Sequence, residues 1–474
     1  MKQIEHLVNR IAQRISINLR ELDFDIQPYI RNTIPMSQLV KFYAFYGITP
    51  HHPLNFHFSH SSLAGSYFLG KSRVDHSILY KSDIRGDELK SKGDLFKFDG
   101  GVVPVHEDES IQIKDSFLIK TLVHNYSHDP ESLEVFFIND SMSMHYTNIH
   151  GSPSEGCFFQ PFSTIDLTTA HDCVIGRYSY VQVGEISHIE VEPGTIWIKN
   201  RSDFNFLYRY PREILNRYVQ YQPGDGPPTG IFMNFIEERK PDFKHIYDVV
   251  NIEPSISIPK GTSLDRYAVI KRKTHIEENV LVAQRAYLEN IWLGKGANAQ
   301  ENCYIINSRL EGYNVTAHGA KIIHANMGEK VFVGFNSFLR GSEDCPLTIA
   351  KNCIVMPHTI IDLQEPINIP ESHLVWGFIS NSSDLKHQSM SLQAFSEIRE
   401  GIVLGDMLFE GSGEKFVKGF QNRIQHILEA NGAFYDGRSN RGHAQKNQKI
   451  SFNTIQPYPE GDLMGLYPTI EIRP

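Results

Sequence analysis

IEPSISIPKGTSLDRYAVIKRKTHIEENVLVAQRAYLENIWL, residues 252–293, decides the fold. An aliphatic residue returns every sixth position within it, at Ile252, Ile258, Leu264, Ile270, Ile276, Val282 and Leu288, before the phase slips by one at Leu293. Period six suits neither a helical face nor an alternating strand. It does suit a triangular parallel solenoid, in which each six-residue unit lays down one short strand, points its aliphatic residue inward and turns a corner. The intervening triplets are polar and turn-forming: Pro259-Lys260-Gly261, Asp265-Arg266-Tyr267, Glu277-Glu278-Asn279 and Gly294-Lys295-Gly296. Small residues such as Thr262, Ala268, Ser337 and Cys353 fall where a tight corner leaves no room for bulk.

Outward from this stretch the repeat weakens and returns. Repeat-like units begin at Leu63-Ala64-Gly65-Ser66, continue near Ile78, Ile84, Val105, Ile111, Phe117 and Val123, and sharpen between Ile165 and Ile196. This predicts irregular coils with long loops over 54–199 and a second block over 250–385. Between them, residues 200–249 lose the period; helices are expected at Pro211–Val219 and Ile231–Tyr247, separated by the breaker run 222–228. Over residues 1–53, Ile4, Leu7, Val8, Ile11, Ile15 and Leu19 share one helical face, and Ile34–Tyr46 reads as a second helix. Over 386–474, Phe416, Phe420, Ile424 and Leu428 share a face; helices here are expected to cap the solenoid end, whose strand edges and interior would otherwise be exposed.

Composition excludes several classes of function. The chain has 474 residues and a formal net charge of −9, so it carries no general basic footprint for nucleic acid. No run of about 18 apolar residues predicts a membrane span, and the opening Met1-Lys2-Gln3-Ile4-Glu5-His6 lacks the apolar core of a signal peptide, which points to a cytoplasmic protein. The five cysteines, Cys157, Cys173, Cys303, Cys345 and Cys353, show no Cys-x-x-Cys spacing and read as reduced small residues at corners. The 22 histidines make a histidine-based site worth seeking. His51 and His52 read as solvated loop residues; the spacing of His57, His60 and His76 permits neighbouring positions on one face, but no Cys or matched carboxylate set accompanies them for a metal, and neither a phosphate-loop motif nor a Gly-x-Ser-x-Gly elbow is present.

The repeats resemble those of the hexapeptide-repeat superfamily, and it is this resemblance that implies a left-handed β-helix, mainly β, usually a homotrimer with sites in the clefts between neighbouring solenoids. Ala170-His171-Asp172-Cys173-Val174-Ile175-Gly176 resembles the HDCxIG segment of hexapeptide acyltransferases. The resemblance implies His171 as the general base that deprotonates an acceptor hydroxyl or amine attacking an acyl-CoA or carrier-protein thioester, with Asp172 orienting it or its substrate; a near-neutral imidazole suits that task. A second segment is similar to the core of γ-class carbonic anhydrases, which hold a divalent Zn, Fe or Co ion on three histidines. There Arg285 and Gln300 match the family's arginine and glutamine, and His318 and His324 match two ligands. Asn307 stands where the first ligand would be, and His318 and His324 are six apart where the family spaces them by five. Three readings stay open: an acyltransferase, an anhydrase-like metalloenzyme acting on a small molecule, and a non-catalytic trimeric scaffold in which both histidine sets are structural.

Overall fold

The computed structural model describes residues 2–41, 43–49, 52–98, 101–126, 136–244, 258–271, 273–446, 450–455 and 469–473. Ile252, at the head of the repeat, His51 and the last residues of the expected 231–247 helix lie outside the described residues. The chain divides into two units, Met1–Thr195 with Leu215–Gly230 and Ile450–Pro474, and Ile196–Ile214 with Ile231–Lys449. The stretch 200–249 is thus shared between them.

Each unit is a three-faced parallel β-helix. In the first, one face stacks Ala44–Ile48, Ser66–Leu69, Asp83–Glu88, Leu122–Tyr126, Asn148–His150, Thr164–Asp166 and Tyr180–Gln182 in parallel register. The inward positions of these strands form a column, Ile84, Val123, Ile149, Ile165 and Val181, all fully buried. Removing each such side chain from water contributes about 1.5–3 kcal/mol. Residues on either side of the column point outward, because side chains alternate along a strand. In the best-ordered coils, partners such as Asn148, Thr164 and Tyr180 are 16 residues apart, so the corners are tighter than a strict six-residue unit would make them. Earlier coils carry excursions; the hairpin Leu95–Phe98 with Gly101–Pro104 is one of them.

The N-terminal segment differs from its expectation in one place. Lys2–Asn18 is helical, but Ile34–Tyr46 is not one helix: only Met36–Leu39 coils, and Ala44–Ile48 is a strand paired with Ser66–Leu69. Ala44 and Tyr46 are buried on one face of that strand, the period-two pattern of a rung, and parallel pairing overrides the helical spacing. The long helix does not plug the coil end. It lies lengthwise on the face built from Ile78, Phe117, Met142, Phe158 and Val174, burying Ile4, Leu7, Val8, Ile11 and Ile15 against it. Arg10 and Arg14 ion-pair with Asp115 and Asp140 on successive coils. The edge of the first coil is covered instead by antiparallel strands from the far end of the chain, Ser451–Ile455 on Ala44–Ile48 and Ile470–Ile472 on Phe56–Ser59.

The second unit is more regular. Tyr287, Tyr304, Lys321 and Phe338 occupy one position on successive rungs at intervals of 17, after an interval of 18 between Val269 and Tyr287. That shortening is the phase slip at Leu293. Its interior is a continuous aliphatic column including Val282, Leu288, Ile305, Ile322, Val333, Leu339 and Ile361. Helix Ile231–Lys244 covers the outward aromatic residues of one face, with Phe235 edge-on to Tyr304 at 5.4 Å and Phe232 against Phe338 at 5.3 Å. The expected C-terminal cap separates into two devices. Ser389–Ser391 pairs antiparallel with the last rung, His373–Val375. Helix Gly413–Asn431 and the segment after it instead strap the unit lengthwise: in the helix Phe416 meets Phe206 and Phe420 meets Phe332, and beyond it Phe434 stacks on Tyr313 and Asn279 donates to the carbonyls of Ala433 and Tyr435. Among the described residues no helix is long and apolar enough to cross a membrane.

Candidate functional site

The His171 segment folds as a coil corner in the first unit. Strand Thr168–His171 ends at His171, Asp172 turns left-handed with φ of 51°, and Cys173 drops into the buried corner column. Asp172 belongs to a ladder of left-handed residues, His60, His76, Asp115, Asp140, Gly156, Asp172 and His188. Asn, Asp, His and Gly tolerate that conformation best, so the corner by itself selects such residues. Backbone hydrogen bonds tie the ladder together, Asp172 N to Glu155 O at 2.9 Å and His188 N to His171 O at 3.0 Å.

Side chains at this corner form two acid–base pairs. His171 Nδ1 is 3.8 Å from Glu155 Oε2, with about a third (35%) of the imidazole exposed. His188 Nε2 is 3.5 Å from Asp172 Oδ2, and Ser187 Oγ lies 2.6 Å from His188 Nδ1. Partial burial raises the Asp172 carboxyl above its ordinary range, opposed by the neighbouring His188. Asp172 therefore faces His188, and the carboxylate beside His171 is that of Glu155. The corner cysteines are free thiols; burial pushes Cys157 upward, and Cys157 N accepts its place in the column by donating to Ser141 Oγ at 3.1 Å.

The second expected set is in the other unit, and the structure divides it. Asn307 and His324 are stacked corner residues, both left-handed, with φ of 47° and 49°. Asn290 Nδ2 donates to Asn307 Oδ1 at 2.8 Å, and Asn307 Nδ2 lies 3.0 Å from His324 Nε2. Asn307 is thus the residue type this corner favours, and its amide bridges its neighbours above and below. His318 occupies the preceding corner, separated from His324 by the buried strand Lys321–Ile323. It is buried, with Nδ1 2.8 Å from Glu301 Oε2 and its ring 5.3 Å from Phe335. Arg285, left-handed with φ of 56°, and Gln300 belong to the same edge as His318, which Gln300 joins through its backbone N–H to Thr316 O. Within the unit, His324 keeps company with Asn307, and His318 with Glu301.

A third arrangement was not anticipated. On the first unit's face, the outward position after the aliphatic column carries Arg85, His124, His150, Asp166 and Gln182 on five consecutive strands in register. His150 Nδ1 donates to Asp166 Oδ1 at 2.8 Å, and the Tyr180 hydroxyl donates to Asp166 Oδ2 at 2.5 Å. Arg85 grips Asp87 through two hydrogen bonds of 3.2 and 2.7 Å, and His124 Nε2 is 3.9 Å from Asp87 Oδ1. The His124 and His150 rings meet edge to face at 5.1 Å. Arg85, His150 and Asp166 are buried although they point away from the coil interior. The signal for this row is the 16-residue interval from His150 to Asp166 to Gln182; a search at multiples of six passes over it.

The chain belongs to the hexapeptide-repeat superfamily. Residues 102–223 match the family described as "Hexapeptide repeat including loop". A crystal structure from Desulfovibrio desulfuricans G20, described as a "putative acetyltransferase", is similar over 100% of this chain and 99% of its own, at 53% identity and a TM-score of 0.92. A comparison with curated proteins finds no match.

Proposed function

We propose that this protein is an acyltransferase that moves an acyl group from a coenzyme A or carrier-protein thioester to a hydroxyl or amine acceptor, with His171 as general base. The observation that carries this reading is the full-length similarity to the Desulfovibrio chain described as a "putative acetyltransferase". Local geometry supports the base: the His171 imidazole is partly exposed, and Glu155 stands 3.8 Å from Nδ1, where it can orient the ring and stabilise its protonated form. His171 would take the acceptor's proton as that atom attacks the thioester carbonyl and return it to the departing thiolate. We also take the coils to be left-handed and the assembly to be a homotrimer, as the superfamily resemblance implies.

The test is thiol release from a panel of acyl-CoA donors with amine and hydroxyl acceptors. For an accepted pair, His171→Ala should lower kcat by about 100-fold or more, the usual size of a general-base contribution. Wild-type turnover by a normally folded His171→Ala protein would remove His171 from the reading.

A further inference from the structure

The buried row on the first unit carries a second kind of chemistry, independent of acyl transfer. The geometry points to a site for a divalent transition-metal ion of the Zn, Fe or Co class, with His124 and His150 as two of its ligands. These residues are directly paired on neighbouring parallel strands, so backbone register holds their side chains side by side. One ring nitrogen of each lies within 4.8 Å of the other. A metal bonded to both imidazoles at about 2.1 Å needs those nitrogens about 3.4 Å apart, a difference that small ring rotations close.

The surroundings of His150 carry the argument further than the pair alone. Metal-binding histidines ordinarily donate their other ring N–H to a carboxylate, which sets the tautomer and makes the ligating nitrogen more basic. His150 does this: Nδ1–H donates to Asp166, and that carboxylate is itself fixed by the Tyr180 hydroxyl. Nε2 is then the lone-pair nitrogen. Asp166 is fully buried, and a buried carboxylate with a histidine partner favours positive charge beside it. Asp87 contributes a second carboxylate next to His124, its charge partly offset by Arg85, which bonds both of its oxygens. Two imidazoles, that of His150 hydrogen-bonded to a carboxylate and that of His124 3.9 Å from one, form a borderline-soft donor set, suited to Zn, Fe or Co rather than to Mg or Ca. Asp166 and Tyr180 act as positioning residues: Asp166 touches the ligand His150, and Tyr180 fixes Asp166.

The experiment is elemental analysis of the full chain, prepared without chelator and without a histidine tag, followed by titration of the apoprotein with Zn2+ and with Co2+, whose visible absorption reports nitrogen ligation. About one ion per chain is expected, with His124→Gln and His150→Gln each weakening binding at least tenfold. Asp166→Asn keeps both ligands and should weaken binding by about 10–100-fold, the range for loss of an outer carboxylate partner. His171→Ala should keep its metal, which separates this site from the acyl-transfer reading. Failure of the intact apoprotein to bind Zn2+ or Co2+ would overturn the proposal. So would folded His124→Gln and His150→Gln proteins that bind as tightly as wild type, or metal that is lost on His324→Ala and kept by both of those variants.

Discussion

Lys321 offers the sharpest quantitative test of the second unit. It opens the strand Lys321–Ile323, pairs with Tyr304 and Phe338 on the neighbouring rungs, is 3% exposed, and donates from Nζ to Gly319 O at 2.5 Å. Burial disfavours its charged form and lowers its pKa from 10.5 to about 7. The unfolded chain therefore holds this proton more tightly than the folded one. From pH 7 to 10.5 unfolding takes up a proton, and stability rises with pH across that window. At about 1.4 kcal/mol per unit, the group's contribution changes by at most about 5 kcal/mol over the window. Lys321→Met removes this dependence and leaves the Gly319 carbonyl without its donor, at a cost of about 1–3 kcal/mol. The variant should therefore be more stable than wild type at pH 7, by about 1–3 kcal/mol, and less stable near pH 10, by up to about 2 kcal/mol. Urea midpoints of both proteins measured at several pH values supply the test, because groups far from Lys321 cancel in the difference. A stability gap that stays constant from pH 7 to 10 would show that Lys321 titrates normally, and the burial argument would fail.

Three further outcomes are expected. Gly156→Ala places a methyl in a left-handed corner with φ of +66°, 2.0 Å from Asp172 Oδ1; calorimetry should show a loss of about 2–4 kcal/mol. Asn307→His keeps a residue the corner tolerates and sets two imidazoles, 307 and 324, on adjacent rungs, so Zn2+ affinity measured by calorimetric titration should rise about tenfold or more. Glu155→Gln removes the carboxylate beside His171 and should lower acyl-transfer kcat by about tenfold while leaving KM nearly unchanged; an unaltered rate would mean that Glu155 neither orients nor stabilises the imidazole.

The fold was legible because burial in a solenoid repeats. An aliphatic residue at every sixth position has only one interior to enter, and the slip at Leu293 is visible both in the residues and as a change from 18 to 17 residues per coil. The helices at Lys2–Asn18, Arg212–Tyr218, Ile231–Lys244 and Gly413–Asn431 were legible from spacing. Where they pack was not. Both long terminal helices lie along the coils, because a lengthwise apolar stripe matches a column of outward-facing apolar residues on successive rungs better than it matches a single coil end. The region 34–46 misled for the converse reason: its spacing permits a helix, and pairing with a distant strand settles it as a rung.

The site residues divide along the same line. That His171 ends a strand and Asp172 turns a corner follows from local chemistry, since few side chains accept a left-handed backbone. Asn307 is explained locally too, by its corner geometry and its bonds to Asn290 and His324. The company each group keeps depends on coil length. A 16-residue coil sets His150 beside Asp166, the excursion before it sets His124 beside His150, and a 17-residue coil sets Asn307 beside His324 while the strand between corners holds His318 apart. Periodicity specifies which side chains face inward, because hydrophobic burial acts residue by residue. Which outward groups become neighbours is a matter of register between strands far apart in the chain, and only the folded coil sets that register.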